Sequence, residues 1–212
     1  MDQSATEDTP AQTMSNNRER QPAKWPAAVC LVLLLVGYVA FLGSYYAPAI
    51  SHPDANGYWA QGTLIAKTGR ATFRPESPLQ YIGMHWLVTD SGLYVSRYPP
   101  GLPVAVALMS RLFGSEASVL LNPILAVATL LGVFLLTRSV VGAGWGVLAA
   151  LCLAINPVFN SQALTCISHM AVAALLIWGV YILACWSRQG HLVQAFGAGL
   201  FLGCIPTVRY PE

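Results

Sequence analysis

Residues 26–46 read PAAVCLVLLLVGYVAFLGSYY, an uncharged run that follows Lys24 and closes on two tyrosines. At 1.5 Å rise per residue it is long enough to cross the roughly 30 Å hydrocarbon core of a bilayer, which takes roughly 20 apolar residues. Arg18, Arg20 and Lys24 precede it, and basic residues flank the cytoplasmic end of a span, so the N-terminus is expected inside. Ala47-Pro48-Ala49 offers the small-x-small pattern of a secretory cleavage site. The apolar run and the tail before it are both long for a secretory signal, so a retained anchor is the expectation.

The pattern repeats outward from this run. The chain is 55% hydrophobic and 9% charged, with a mean hydropathy of +0.54, whereas a soluble domain carries about 25% charged residues. Further runs at 117–137, 142–159, 167–186 and 192–208 bring the expectation to about five spans. Arg138 and Arg188 fall between spans two and three and between four and five, both inside; the uncharged segment 160–166 falls outside. The expected fold is all-α and integral to the plasma (inner) membrane, with a large outer loop, 47–115, after the first span. Residues 1–24 are polar without apolar periodicity and read as a disordered cytoplasmic tail; 25–212 form one polytopic membrane domain. The apolar stretch GLPVAVALMSRLF at 101–113 is too short to cross and is expected along the outer interface. Gly199 and Gly203 form a GxxxG, a motif of closely packed membrane helices.

Composition also excludes partners. The net charge is +2 and the basic residues are scattered singly, so no stripe for nucleic acid exists. Cys30, Cys152, Cys166, Cys185 and Cys204 lie in or beside apolar runs without CxxC spacing; they read as small hydrophobes, not as disulfides or zinc ligands. No acid cluster has metal-ligand spacing, and neither metal nor cofactor is expected.

The alternating topology gathers four features on the outer face: Asp54, the corner Tyr98-Pro99-Pro100-Gly101, the pair Ser168-His169, and Arg209-Tyr210-Pro211-Glu212. Ionisable groups at membrane depth are costly and default to functional hypotheses. Asp54, within HPDANGYW, is either an Asx-turn residue or a general base. Lys67, Arg70, Arg74 and Arg97 are either a solvated surface or phosphate readers, for which the guanidinium fork is suited. Arg209 sits at membrane level, with Glu212 as a candidate partner. His169 either bonds a neighbouring helix or serves the site. Tyr58, Trp59, Tyr81, Trp86, Tyr94 and Tyr98 fit an interfacial aromatic belt. Pro99-Pro100 forbids a helix just before Gly101 and reads as a structural corner.

Asp54, Tyr58, Trp59, Ala66 and Gly69 form D-x-x-x-Y-W-x-x-x-x-x-x-A-x-x-G, and Ser96 to Pro103 read SRYPPGLP. With Leu112-Phe113-Gly114, Asn156-Pro157 and the closing Arg-x-Pro-Glu, this order resembles GT-C glycosyltransferases of the family-39-like group, relatives of protein mannosyltransferases and aminoarabinose transferases. The resemblance implies transfer of a sugar from a polyprenyl-phosphate donor to a lipid, glycan or protein acceptor at the outer face, with Asp54 as catalytic base. Arg209, Arg97 and His169 would hold the donor phosphate. Two positions depart from the pattern: Ala55 and Asn56 stand where many members have a second acid, and Ser168-His169 where many have an Asp. Such enzymes have about twice as many spans, so the chain reads as the N-terminal part of a transferase. A non-catalytic polytopic protein, either a transporter or an assembly subunit, is the alternative.

The shared outer face has a direct check. Cysteines introduced by Asp54→Cys and Arg209→Cys are both expected to react with a membrane-impermeant maleimide added outside the cell. Labelling of one position without the other would undo the topology.

Overall fold

A computed structural model describes residues 25–47, 50, 52–77 and 83–210; the expected tail at 1–24, Tyr81 and the partner Glu212 lie outside them. Three helical segments are long and apolar enough to cross a membrane. They are α1 (Trp25–Tyr45), the segment Ala117–Val141, in which a 3₁₀ turn (Ala117–Leu120) runs into α4 (Leu121–Val141), and α7 (Ser168–Gln189). Only 17% of the apolar window of α1 and 22% of that of α7 is buried inside the protein. Val32, Leu33 and Val36 stand more than half exposed on α1. A soluble protein rarely leaves apolar faces of this extent in water; hydrocarbon is the solvent that suits them.

The expected third span is not one straight helix. It divides into α5 (Ala143–Ala154) and α6 (Pro157–Ala163), bent by 71°. Pro157 disfavours helical backbone at Asn156, which is extended, and the Asn156 side chain accepts the Phe159 N–H at 3.0 Å as a new N-cap. Taken together, α5 and α6 would make a fourth span. The helix α6 also occupies part of the segment expected as a plain loop at 160–166. The expected fifth span is likewise divided, into α8 (Leu192–Gly203) and α9 (Ile205–Val208), and is shorter than the other candidates. Pro206 in the first turn of α9 contributes no N–H to a continuous ladder. Its GxxxG is not a packing seam: a Cβ at Gly199 or Gly203 would meet nothing within 4 Å. The close approach is made from the facing helix, where a Cβ at Gly179 would lie 2.7 Å from the Leu202 side chain.

The chain is mostly helical, as expected, but the described residues between α1 and α4 add a small sheet. Helix α2 (Pro53–Thr68) starts with His52 as N-cap and Pro53 in its first turn, and carries Lys67 in its last. Strands β1 (Thr72–Phe73), β2 (Trp86–Val88) and β3 (Tyr94–Ser96) form an antiparallel sheet in the order β1-β3-β2. Phe73 packs edge-on against Trp86 at 4.9 Å and stacks on Tyr94 at 5.4 Å. The sheet carries the chain across to α3 (Gly101–Phe113), at the bounds the sequence suggests. Helices α2 and α3 run side by side in the same direction. A Cβ at Gly62 would lie 2.4 Å from Val106, and Arg111 at the end of α3 donates to the carbonyls of Ala66 and Ile65 at 2.9 and 3.2 Å, closing the C-terminus of α2.

Three apolar clusters hold these parts, one of them joining Leu31 of α1, Phe134 of α4 and Ala150 of α5. Tyr38 and Leu42 of α1 meet Ala126 and Leu130 of α4, Phe159 of α6 and Met170 of α7. In another cluster, Ala55, Tyr58, Leu102 and Val106 meet Ile167, Ala171 and Val208. This cluster clamps α2 and α3 to the start of α7 and the end of α9. Gly101 lies at this junction, and a Cβ there would lie 2.5 Å from the Thr207 carbonyl oxygen. Gly101→Ala is therefore expected to displace α9 and to destabilise the fold by about 1–3 kcal/mol, the usual cost of overpacking. The measurement is the midpoint of thermal unfolding in detergent, and an unchanged midpoint would contradict the close approach.

Candidate functional site

Four segments distant in the chain wall one polar cavity of about 560 Å³: His52, Asp54 and Tyr58; Arg97, Tyr98 and Pro99; Gln162 with Ile167, Ser168 and His169; and Arg209 with Tyr210. Asp54, Arg97, His169 and Arg209, singled out from sequence, thus share one cavity. Lys67, Arg70 and Arg74 do not line it; Arg74 instead donates to the Ser91 carbonyl at 3.1 Å.

Asp54 occupies the first turn of α2 with its carboxylate exposed. It does not cap the helix; the His52 Nδ1 accepts the Asp54 N–H at 3.2 Å. The Tyr98 hydroxyl donates to Asp54 Oδ1 at 2.6 Å. A phenol has one proton, so the contact of Tyr98 Oη with His85 Nδ1 at 3.0 Å is donated by the imidazole. His85, Tyr98 and Asp54 form a directed chain of hydrogen bonds ending on the carboxylate, which keeps its second oxygen for a further partner. Burial pushes the Tyr98 phenol well above its ordinary value; the hydrogen bond to Asp54 and the charges of Asp54 and Tyr58 add to this, and Arg97 opposes it. Tyr98 is accordingly a donor throughout the ordinary pH range.

Backbone geometry explains how these groups meet. The sheet extends one step past β3, with the Arg97 N–H donating to the His85 carbonyl at 3.0 Å; this sets buried His85 beside Tyr98. Both rings then lie against α2 where it carries Gly57, at which a Cβ would sit 2.6 Å from Tyr98 Cε2 and 2.8 Å from His85 Cγ. Tyr58 packs on Tyr98 at 4.4 Å between ring centroids, and its hydroxyl donates to Ser168 Oγ at 3.2 Å. Burial raises the Tyr58 phenol too, against the hydrogen bond to Ser168 and the Arg209 charge, which lower it.

The facing wall is cationic. The guanidinium of Arg209 contacts His169 Nε2. Arg209 follows α9 with extended backbone, and its N–H donates to the Ile205 carbonyl at 3.0 Å. Cys166 lies nearby but is buried, which pushes its thiol up to about 12, so it is not a nucleophile at neutral pH. Among the described residues no three His, Cys, Asp or Glu side chains converge as a metal site.

Sequence reasoning treated Tyr98 as part of a backbone corner and belt, and it missed His52, Gly57, His85 and Gln162. The corner exists, since β3 ends at Ser96 and α3 begins at Gly101, but it also delivers the Tyr98 hydroxyl to Asp54. A second cavity of about 610 Å³ lies next to the first and is apolar, between α3, α4, α7 and the α8–α9 stretch; Leu102, Leu125, Leu175, Trp178 and Phe201 are among its walls. Its lining continues into the polar cavity from Gly101 to Pro99 and from Val208 to Arg209.

No family model matches this chain, and comparisons with curated proteins and with solved structures find no match.

The Tyr98 environment is testable by ultraviolet titration. The difference between the native protein and Tyr98→Phe is expected to show no phenolate signal at pH 10, the ordinary tyrosine value. The linked stability is present in full below about pH 10 and is lost as pH rises from there through the higher folded value. A phenolate midpoint at or below 10 would contradict the hydrogen-bonded, desolvated phenol.

Proposed function

We propose that this protein is a membrane glycosyltransferase of the GT-C kind, moving a sugar from a polyprenyl-phosphate donor to an acceptor hydroxyl at the outer face of the plasma membrane. The observation that supports this most is the juxtaposition of Asp54 with Arg97, Arg209 and His169 around one cavity that adjoins an apolar groove. An acid opposite cations suits a reaction that takes up a proton on one side and releases a phosphate on the other. The groove suits a donor whose phosphate carries a long hydrocarbon. A lipid-binding protein without chemistry would use the groove equally well, but it would not need a carboxylate held by a phenol.

The reaction is a direct displacement. Asp54 takes the proton from the acceptor hydroxyl through the oxygen that Tyr98 leaves open, and the acceptor oxygen forms its bond to the anomeric carbon. The bond from that carbon to the phosphate oxygen breaks at the same time, and its electron pair leaves with the polyprenyl phosphate. Attack from the face opposite the leaving group inverts the anomeric configuration. Arg209, oriented by His169, and Arg97 neutralise the charge that develops on the phosphate; fixed cations at a developing anion supply a large share of catalysis. A phosphate leaves without a strong acid behind it, so one carboxylate suffices where glycoside hydrolysis uses a pair. Tyr98 and His85 act as positioning residues that hold the carboxylate toward the cavity.

Membranes carrying the protein, supplied with polyprenyl-linked sugars isolated from the same cells, are assayed by mass spectrometry for loss of sugar from the carrier. Asp54→Asn is expected to lower the rate by about 10²–10⁴, the range of a general base, with little change in donor KM. Arg209→Gln is expected to raise donor KM as well as to slow transfer. Near-native transfer by Asp54→Asn would remove the assignment.

A further inference from the structure

We infer that the other end of the helix bundle carries a second anion site, which binds the phosphate of an anionic glycerophospholipid through Arg138 and Arg188. This site is independent of the transferase reading. Along α7, nineteen residues separate His169 from Arg188, which at 1.5 Å per residue places it about 28 Å from the Asp54 cavity. There a pocket of about 290 Å³ lies between the last turns of α4 and α7, lined by Arg138, Ser139, Tyr181, Arg188 and Gln189 over a floor of Leu135 and Cys185.

The chemistry of the lining is that of an anion receptor. It contains two guanidinium groups and no carboxylate. Both arginines are held in place: Arg188 Nη2 donates to the Ser139 carbonyl at 2.6 Å, tying α7 to α4, and the Arg138 guanidinium lies 6.0 Å above the Phe134 ring. The Gln189 side-chain oxygen accepts from Gln194 Nε2 at 2.7 Å, which leaves its NH₂ as a donor. Tyr181 adds a hydroxyl. One arginine used alone to cap a helix terminus would account for the Ser139 contact; it does not account for a second guanidinium from another helix around the same hollow.

The surroundings favour a lipid phosphate over a free one. The pocket sits at the ends of two helices that qualify as membrane spans, where a chain leaves the hydrocarbon. Large apolar side chains stand exposed at the end of α4 and in the first half of α8, which follows α7: Val140, Val141, Leu192, Val193 and Phe196, each more than half accessible. A ligand here meets cations at its head and apolar surface along its tails. Basic pockets between membrane helices bind acidic headgroups in this way, and this is the end that basic flanking residues assign to the cytoplasmic leaflet.

The full chain is reconstituted in phosphatidylcholine bilayers with and without phosphatidylglycerol, extracted, and examined by native mass spectrometry for lipids that remain bound. Native protein is expected to retain phosphatidylglycerol over phosphatidylcholine. Arg138→Gln, which leaves the tie from Arg188 to Ser139 intact, should lower that preference roughly fivefold, and the double variant with Arg188→Gln should abolish it. Inorganic phosphate, added as a separate arm, should not displace the lipid. Equal retention of the two lipids by native protein, undiminished preference in Arg138→Gln, or displacement by inorganic phosphate would each overturn the proposal. A melting midpoint of Arg138→Gln in phosphatidylcholine equal to that of native protein shows that its loss is one of binding.

Discussion

A single buried amide ties α4 to the end of α6 and the start of α7. Asn122, in the first turn of α4 and almost wholly inaccessible, directs its Nδ2 at the backbone carbonyls of Gln162 at 3.3 Å, Thr165, and Ile167 at 2.9 Å. These carbonyls lie at the end of α6, in the link, and at the N-cap of α7; the Thr165 carbonyl also accepts the Ile167 N–H at 2.8 Å. In an apolar solvent an unsatisfied carbonyl costs several kcal/mol, so irregular backbone survives only where protein supplies donors. The clasp fixes the start of α7, and with it Ser168, His169 and the contact from Ser168 to Tyr58. The polar cavity is therefore suspended from α4 by hydrogen bonds.

The same economy shapes the other wall. Close approach at Gly57, Gly62 and Gly101 lets rings and backbone stand where a methyl group would collide. It brings Tyr98 and His85 onto α2 and seats α3 beside α9. A carboxylate on the first turn of a helix is favoured by the helix dipole, yet Asp54 is turned toward Tyr98, while His52 does the capping. That division of labour leaves the acid available to a ligand, which is the physical basis for assigning it a proton-accepting role.

The membrane helices were legible because lipid imposes a plain requirement: uncharged residues over a fixed length. α1, α4 and α7 meet it, and α3 is bounded by Pro99-Pro100 and Gly114 much as its sequence suggests. Helix α2 was not legible as a helix, because its buried face is made of Ala55, Gly57, Tyr58, Gln61 and Gly62; one large side chain among small and polar ones leaves no strong hydrophobic period. Strands of two or three residues are too short to alternate visibly. The bend at Asn156-Pro157 was written in the sequence, but its depth was not, since Phe159 continues the apolar run. For the site, charge and topology pointed to Asp54, Arg97, His169 and Arg209. His85 could not be found this way: its place depends on a strand partner ten and more residues later, and no local pattern encodes that.

The link between α4 and α5 has a consequence for insertions into the chain. Val141 ends one helix and Ala143 begins the next, so Gly142 alone turns the chain, at a φ of 109° that side chains resist. The two helices touch at once, with a Cβ at Gly146 standing 2.9 Å from the Phe134 carbonyl oxygen. A connection this short leaves neither helix slack to move apart from its neighbour. A hydrophilic tag or domain spliced at that turn would have to prise apart the contact between Gly146 and Phe134.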